Sequence, residues 1–139
     1  MEFSPFENQD VAAIFAALST DLRPALMRLR QLVLDTAAQT ANVGELIETL
    51  KWGEPAYLPA KARTGTTIRI NALRGSRDRY ALFVPCQTSL VEAWRRRYSE
   101  IFTFEGNRAI LFRIGHDTHH EPLAHCIAMA LTYHRHAGP

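Results

Sequence analysis

Cysteine is scarce in this chain: Cys86 and Cys126 are the two it has, well separated and outside any motif. Two such thiols make neither a disulfide framework nor a CxxC pair. Lysine is equally scarce, with Lys51 and Lys61 set against fourteen arginines. A strong charge of one sign is missing too. Sixteen cations and fourteen acids leave a formal net charge of +2, so charge alone demands no polyanionic partner. No apolar run approaches the roughly eighteen residues that a membrane span needs. Residues 1–10 contain acids and no apolar stretch, which is not the pattern of a signal peptide. There is no repeat, no low-complexity segment and no internal linker. These absences point to one cytoplasmic domain over 1–139, with a helical extension over 1–19 and a tail over 135–139.

What is present reads as a folded protein. A hydrophobic share of 47% with 22% charged residues suits a globular domain and argues against disorder. Residues 10–18 predict a short helix with Asp10 as its cap. Over 21–39, Leu22, Leu26, Leu29, Val33 and Ala37 fall on one face of a longer helix; Asp21 is placed to cap it and Pro24 is tolerated in its first turn. A helical turn is expected over 43–50. Strand patterns follow at 67–71, where Ile68 and Ile70 alternate with Arg69, and at 80–84. Residues 101–104 and 108–114 flank Glu105-Gly106-Asn107 as a hairpin. Between them lies a helix over 90–98, for which Ser89 and Glu92 have capping-box spacing. A last helix over 122–134 starts at Pro122. Hairpin-linked strands bracketed by helices predict an α+β two-layer sandwich, an antiparallel sheet with the N- and C-terminal helices on one face.

The run Glu48-Thr49-Leu50-Lys51-Trp52-Gly53-Glu54-Pro55-Ala56-Tyr57 resembles the E-x-x-K-W-G-x-P-x-Y signature of the YdhG-like family, a bacterial domain of unknown function. Cys86-Gln87-Thr88, Glu105-Gly106-Asn107-Arg108 and Leu131-Thr132-Tyr133-His134 look like one of its subgroups, and the resemblance spans about residues 20–135. It implies a frataxin-like sandwich, and that some relatives handle iron as chaperones. An iron surface of that kind needs clustered carboxylate oxygens. Here the acids are scattered, with no two adjacent. The fold carries over, and iron delivery does not.

Several residues are candidates for a site, each with a structural alternative. Trp52 and Tyr57 are amphipathic rings able to wall a pocket, while Gly53 and Pro55 shape the backbone between them; alternatively the whole segment is a helix-to-sheet corner packed on the core. Arg30 falls within the apolar stripe of its helix. It either meets Glu48 in an internal ion pair or snorkels to water. His134 falls on the buried stripe of the last helix, as a titrating site residue or a satisfied core histidine. His116, His119, His120, His134 and His136 invite a metal, yet none has H-E-x-x-H or finger spacing. Cys86 precedes a helix N-terminus, which favours thiolate, but no local base accompanies it. Arg95-Arg96-Arg97 reads as a solvated helix face, which disfavours nucleic acid.

The resulting expectation is a non-catalytic domain that binds a small anionic metabolite. Its site would be a cleft between sheet and helices near residues 52–57. Trp52, Tyr57, Arg69, Cys86, Arg108 and His134 would converge there, with the two arginines facing the anion. Arg30, Glu48, Gly53 and Pro55 are expected to be structural. No cofactor is implied. The alternatives are a metal chaperone or sensor, an enzyme using Cys86 or His134, and an interaction module or homodimer.

Overall fold

The structure, a computed structural model, describes residues 2–134. The expected tail over 135–139, with His136, lies outside the described residues. Helix α1 (Gln9–Ala16) is capped by Asn8, whose side-chain oxygen accepts from the N–H groups of Asp10 and Val11 at 2.9 and 3.2 Å. The cap is Asn8 and not Asp10, because the backbone is extended at Asn8 and already helical at Asp10. Helix α2 (Leu22–Gln39) buries Leu22, Leu26, Leu29, Val33 and Ala37, as their spacing predicts. Asp21 makes no capping bond; Ser19 Oγ accepts the Leu22 N–H at 3.2 Å instead. Arg23 closes the end of α1 by donating to the carbonyls of Phe15, Ala16 and Leu18.

The segment expected as a helical turn over 43–50 is instead mostly strand β1 (Leu46–Lys51). Its apolar residues at 43, 46, 47 and 50 mimic a helix period, but β-branched Ile47 and Thr49 and a positive φ of 71° at Gly44 favour extension. Pairing decides it. β1 runs antiparallel to β2 (Glu54–Pro59) from Leu46↔Pro59 to Lys51↔Glu54. Strands β3 (Ile68–Ala72) and β4 (Arg79–Phe83) follow, then helix α3 (Leu90–Tyr98), β5 (Thr103–Glu105), β6 (Ala109–Arg113) and helix α4 (His120–Leu131). The six strands form one antiparallel sheet in the order β1-β2-β3-β4-β6-β5.

Helix α1 packs on β1 and β2, α2 on β3 and β4, α4 on α2 and β3, and α3 on α4. This is the expected two-layer α+β sandwich. Its core joins Ile68, Ile70, Leu82 and Ile110 of the sheet to Leu26, Val33, Leu123 and Ile127 of the helices, with Trp94 of α3 fully buried. The Ser89–Glu92 capping box does not form. Ser89 sits outside the extended region a cap needs and Glu92 pairs with Arg96 one turn on. The β5–β6 turn is Gly106-Asn107-Arg108, since Glu105 pairs with Ala109. Residues 64–66 run against the end of α4, where Thr66 N–H bonds the Ala130 carbonyl at 2.9 Å. No helix among the described residues is long and apolar enough to cross a membrane.

Candidate functional site

The signature segment is a hairpin, not a helix-to-sheet corner. Lys51 pairs with Glu54, leaving Trp52-Gly53 as a two-residue loop with φ of 56° and 76°. Positive φ at both positions is what a type I′ hairpin turn requires. Glycine accepts it freely, whereas tryptophan does so at a cost of about 1–2 kcal/mol. Trp52 is neither packed on the core nor walled in, being 90% exposed.

On the helix-facing side of the same hairpin, Glu48 and Tyr57 stand opposite each other. Glu48 Oε2 accepts the Tyr57 hydroxyl at 2.7 Å and Arg30 Nε at 2.6 Å, and Oε1 accepts Arg30 Nη2 at 3.1 Å. Arg30 also donates to the carbonyls of Ser4 and Pro5, and its guanidinium lies 4.0 Å from the centre of the Phe6 ring. The ion pair expected from the helical wheel is therefore present, with the Arg30 side chain 1% exposed. Burial, and then the neighbouring Glu48 carboxylate, drive the Tyr57 hydroxyl well above its ordinary pKa. Tyr57 belongs to this buried network and not to a cleft.

The opposite face of the sheet carries no helix side chains in its apolar cluster, which consists of Ala81, Phe83 and Ala109 with Leu73 and Leu111 packed against them. The strand register puts Ala56, Arg69, Phe83 and Ala109 in one row across this face. Alanines there are covered by the larger side chains beside them. The Arg69 and Arg108 guanidiniums lie 5.3 and 5.6 Å from the centre of the Phe83 ring, within cation–π range. Arg69 is held by Glu54, whose other oxygen accepts from Asn71 Nδ2 at 3.1 Å. Arg108 meets Glu105 at 3.3 Å in an exposed pair. Such a pair is worth at most about 1 kcal/mol, so Arg108 is free to turn toward an incoming anion.

Where β1 turns, β3 begins and β4 ends, a cleft of about 370 Å³ opens. Lys51, Trp52, Thr67, Arg69, Cys86, Gln87 and Arg108 line it, over Val84 and Pro85. Three cations and no carboxylate are among its described lining residues. It continues into a broader depression shared through Trp52 and Arg108, and the two together carry six cationic side chains against three acids. The combined lining on the face the helices leave open is thus net positive.

Four of the six expected binding residues, Trp52, Arg69, Cys86 and Arg108, come together in this cleft. It is not between sheet and helices, as expected, but on the far side of the sheet. The expectation of a buried His134 is corrected: it is exposed beyond α4, whose regular winding breaks at Thr132 (φ −117°), so the helical residues 133 and 134 do not continue the buried stripe. Cys86 is exposed with its Sγ 3.9 Å from Gln87 Oε1, whereas Cys126 is buried and its thiol pushed up to about 12. Among the described residues no three His, Cys, Asp or Glu side chains are grouped to hold a metal ion, and His119 faces Asp117 and the Phe102 ring.

Sequence reasoning missed Lys51, Phe83, Glu54 and Gln87. Strand alternation carried the signal for Phe83, which shares a face with Arg69 through their direct pairing. Lys51 and Glu54 required knowing that residues 51–54 form a turn. No protein-family model, curated protein or solved structure matches the chain.

Proposed function

We propose that the protein is a non-catalytic binding domain that takes a small anionic ligand in the cleft on the open sheet face. Arg69 and Arg108 grip the anion, Lys51 adds charge, and Trp52 offers its ring to an apolar or planar part of the ligand. The observation that carries this reading is the lining itself: among the described residues, three cations from three different segments and no carboxylate, with Glu54 holding Arg69 from outside the cleft, in a volume suited to a metabolite. Trp52 supports it independently. A 90% exposed tryptophan in a left-handed conformation contributes little to folding, and retained backbone strain is a recognised mark of functional positions.

The reading of the chain as a YdhG-like protein belongs to this proposal and rests on residues 48–57. Glu48, Gly53 and Tyr57 each have a separate physical task in the hairpin. A cytoplasmic setting belongs to it as well, since neither cysteine is in a disulfide. Amide NMR titration with inorganic phosphate and a mononucleotide tests the site. The expected result is shifts at residues 51–53, 69, 83, 84, 86, 87 and 107–109. Shifts confined to the arginines of α3 would overturn it.

A further inference from the structure

We propose that a second cleft, on the helix side of the sheet between α2 and the start of α4, binds a small molecule with one carboxylate on a short apolar body. This cleft measures about 310 Å³ and is walled by Leu29, Leu32, Phe112 and Leu123. That is within the range of small-ligand sites, which combine apolar walls with a few convergent polar groups. Two such groups stand here without a protein partner among the described residues. Tyr80 is 3% exposed, its ring stacked on Phe112 at 5.2 Å and 22°. It lines the cleft, and among the described residues no hydrogen bond engages its hydroxyl. The ring is buried while the hydroxyl opens to the solvent of the cleft, where a ligand oxygen can take the place of water. Arg28, exposed on α2, also lines the cleft and makes no ion pair among the described residues. It lies close enough to counter the upward push that burial gives the Tyr80 pKa.

The cleft also holds two carboxylates, but of its charged side chains Arg28 is the one that bears on the Tyr80 hydroxyl. Asp35 is already engaged by Gln31 Nε2 at 2.9 Å, and Glu2 belongs to the exposed N-terminal segment. His120 opens α4 at this cleft, where first-turn N–H groups have no helix carbonyl to bond. A carboxylate seated between Arg28 and the Tyr80 hydroxyl satisfies both, while its apolar body covers the leucines. This site is separate from the cleft on the open face, and neither proposal depends on the other.

Thermal shift of the whole protein with millimolar 3-phenylpropionate tests it, with 3-phenylpropanamide and phenethylamine as uncharged and cationic controls. The expected result is a rise of a few degrees with the carboxylate alone. That rise is lost in Tyr80→Phe and in Arg28→Ala and kept in Arg108→Ala. Tyr80→Phe removes an unpartnered hydroxyl and keeps the ring, and Arg28 is exposed, so both variants are expected to fold with an unchanged melting midpoint. The proposal is overturned if the carboxylate gives no shift, if the amide or amine matches it, or if the shift survives in Tyr80→Phe.

Discussion

Glu48 and Tyr57 face each other across the β1–β2 pairing, joined at 2.7 Å from the tyrosine hydroxyl to Oε2, and Arg30 closes the triad from α2. One carboxylate thereby serves a strand neighbour and a helix, locking α2 to the sheet edge. Removing that carboxylate leaves Arg30 buried without a counter-charge, which costs about 3–5 kcal/mol. Urea unfolding of Glu48→Gln should show a loss near that range. Arg30→Met combined with Glu48→Leu should recover part of it, since an apolar pair replaces the ions while the Tyr57 hydroxyl is left without its acceptor. Equal losses in the single and double variants would contradict this.

The same triad makes stability fall at high pH. The Tyr57 hydroxyl has its pKa raised in the folded state, so the folded protein holds that proton more tightly than the unfolded chain. The contribution is complete below the unfolded tyrosine pKa of about 10 and is lost as pH rises beyond it. Between pH 8 and pH 11 the wild type should lose more stability than Tyr57→Phe. Chemical denaturation at the two pH values makes the comparison, and identical slopes would remove Tyr57 from the account.

Trp52 should be a residue whose replacement strengthens the fold and weakens the function. Asparagine followed by glycine suits a type I′ turn, and asparagine enters the left-handed region more readily than tryptophan. Trp52→Asn is expected to gain about 1 kcal/mol in urea unfolding while reducing affinity for whichever anion the cleft takes. A destabilised variant would mean that the exposed ring contributes to packing after all.

Gly65 is predicted to be irreplaceable for a reason unrelated to turns. A Cβ placed on it falls 2.1 Å from the Leu131 carbonyl oxygen, which belongs to the backbone at the end of α4 and cannot swing aside. Gly65→Ala should cost about 2 kcal/mol or more, read as a lowered urea midpoint with an unchanged slope. A neutral effect would show that the 64–66 segment is held loosely against the helix.

The legible parts of the fold were those in which periodicity and burial agree. The stripe on α2 and the alternation around Arg69 are cases, and Arg30 within that stripe was enough to point to Glu48. Residues 43–50 misled because a helical spacing of apolar residues was overruled by pairing with β2, a contact no local pattern contains. The Ser89–Glu92 spacing likewise describes a cap that the backbone at Ser89 does not adopt. For the site, Arg69, Arg108, Cys86 and Trp52 were legible as residues, but their side of the sheet was not. It follows from where the helices pack, and with it went the expectations for Tyr57 and His134.

The most direct test of the central claim is thermal shift with inorganic phosphate, succinate and adenosine monophosphate on wild type, Arg69→Ala, Arg108→Ala and, as a surface control, Arg96→Ala. A ligand at about a hundred times its dissociation constant adds roughly 2.7 kcal/mol, which moves the midpoint of a domain this size by several degrees. The account predicts such a rise with at least one of the anions in wild type and in Arg96→Ala, and its loss in both Arg69→Ala and Arg108→Ala. A midpoint indifferent to all three anions, or a rise that persists without either arginine, would contradict it.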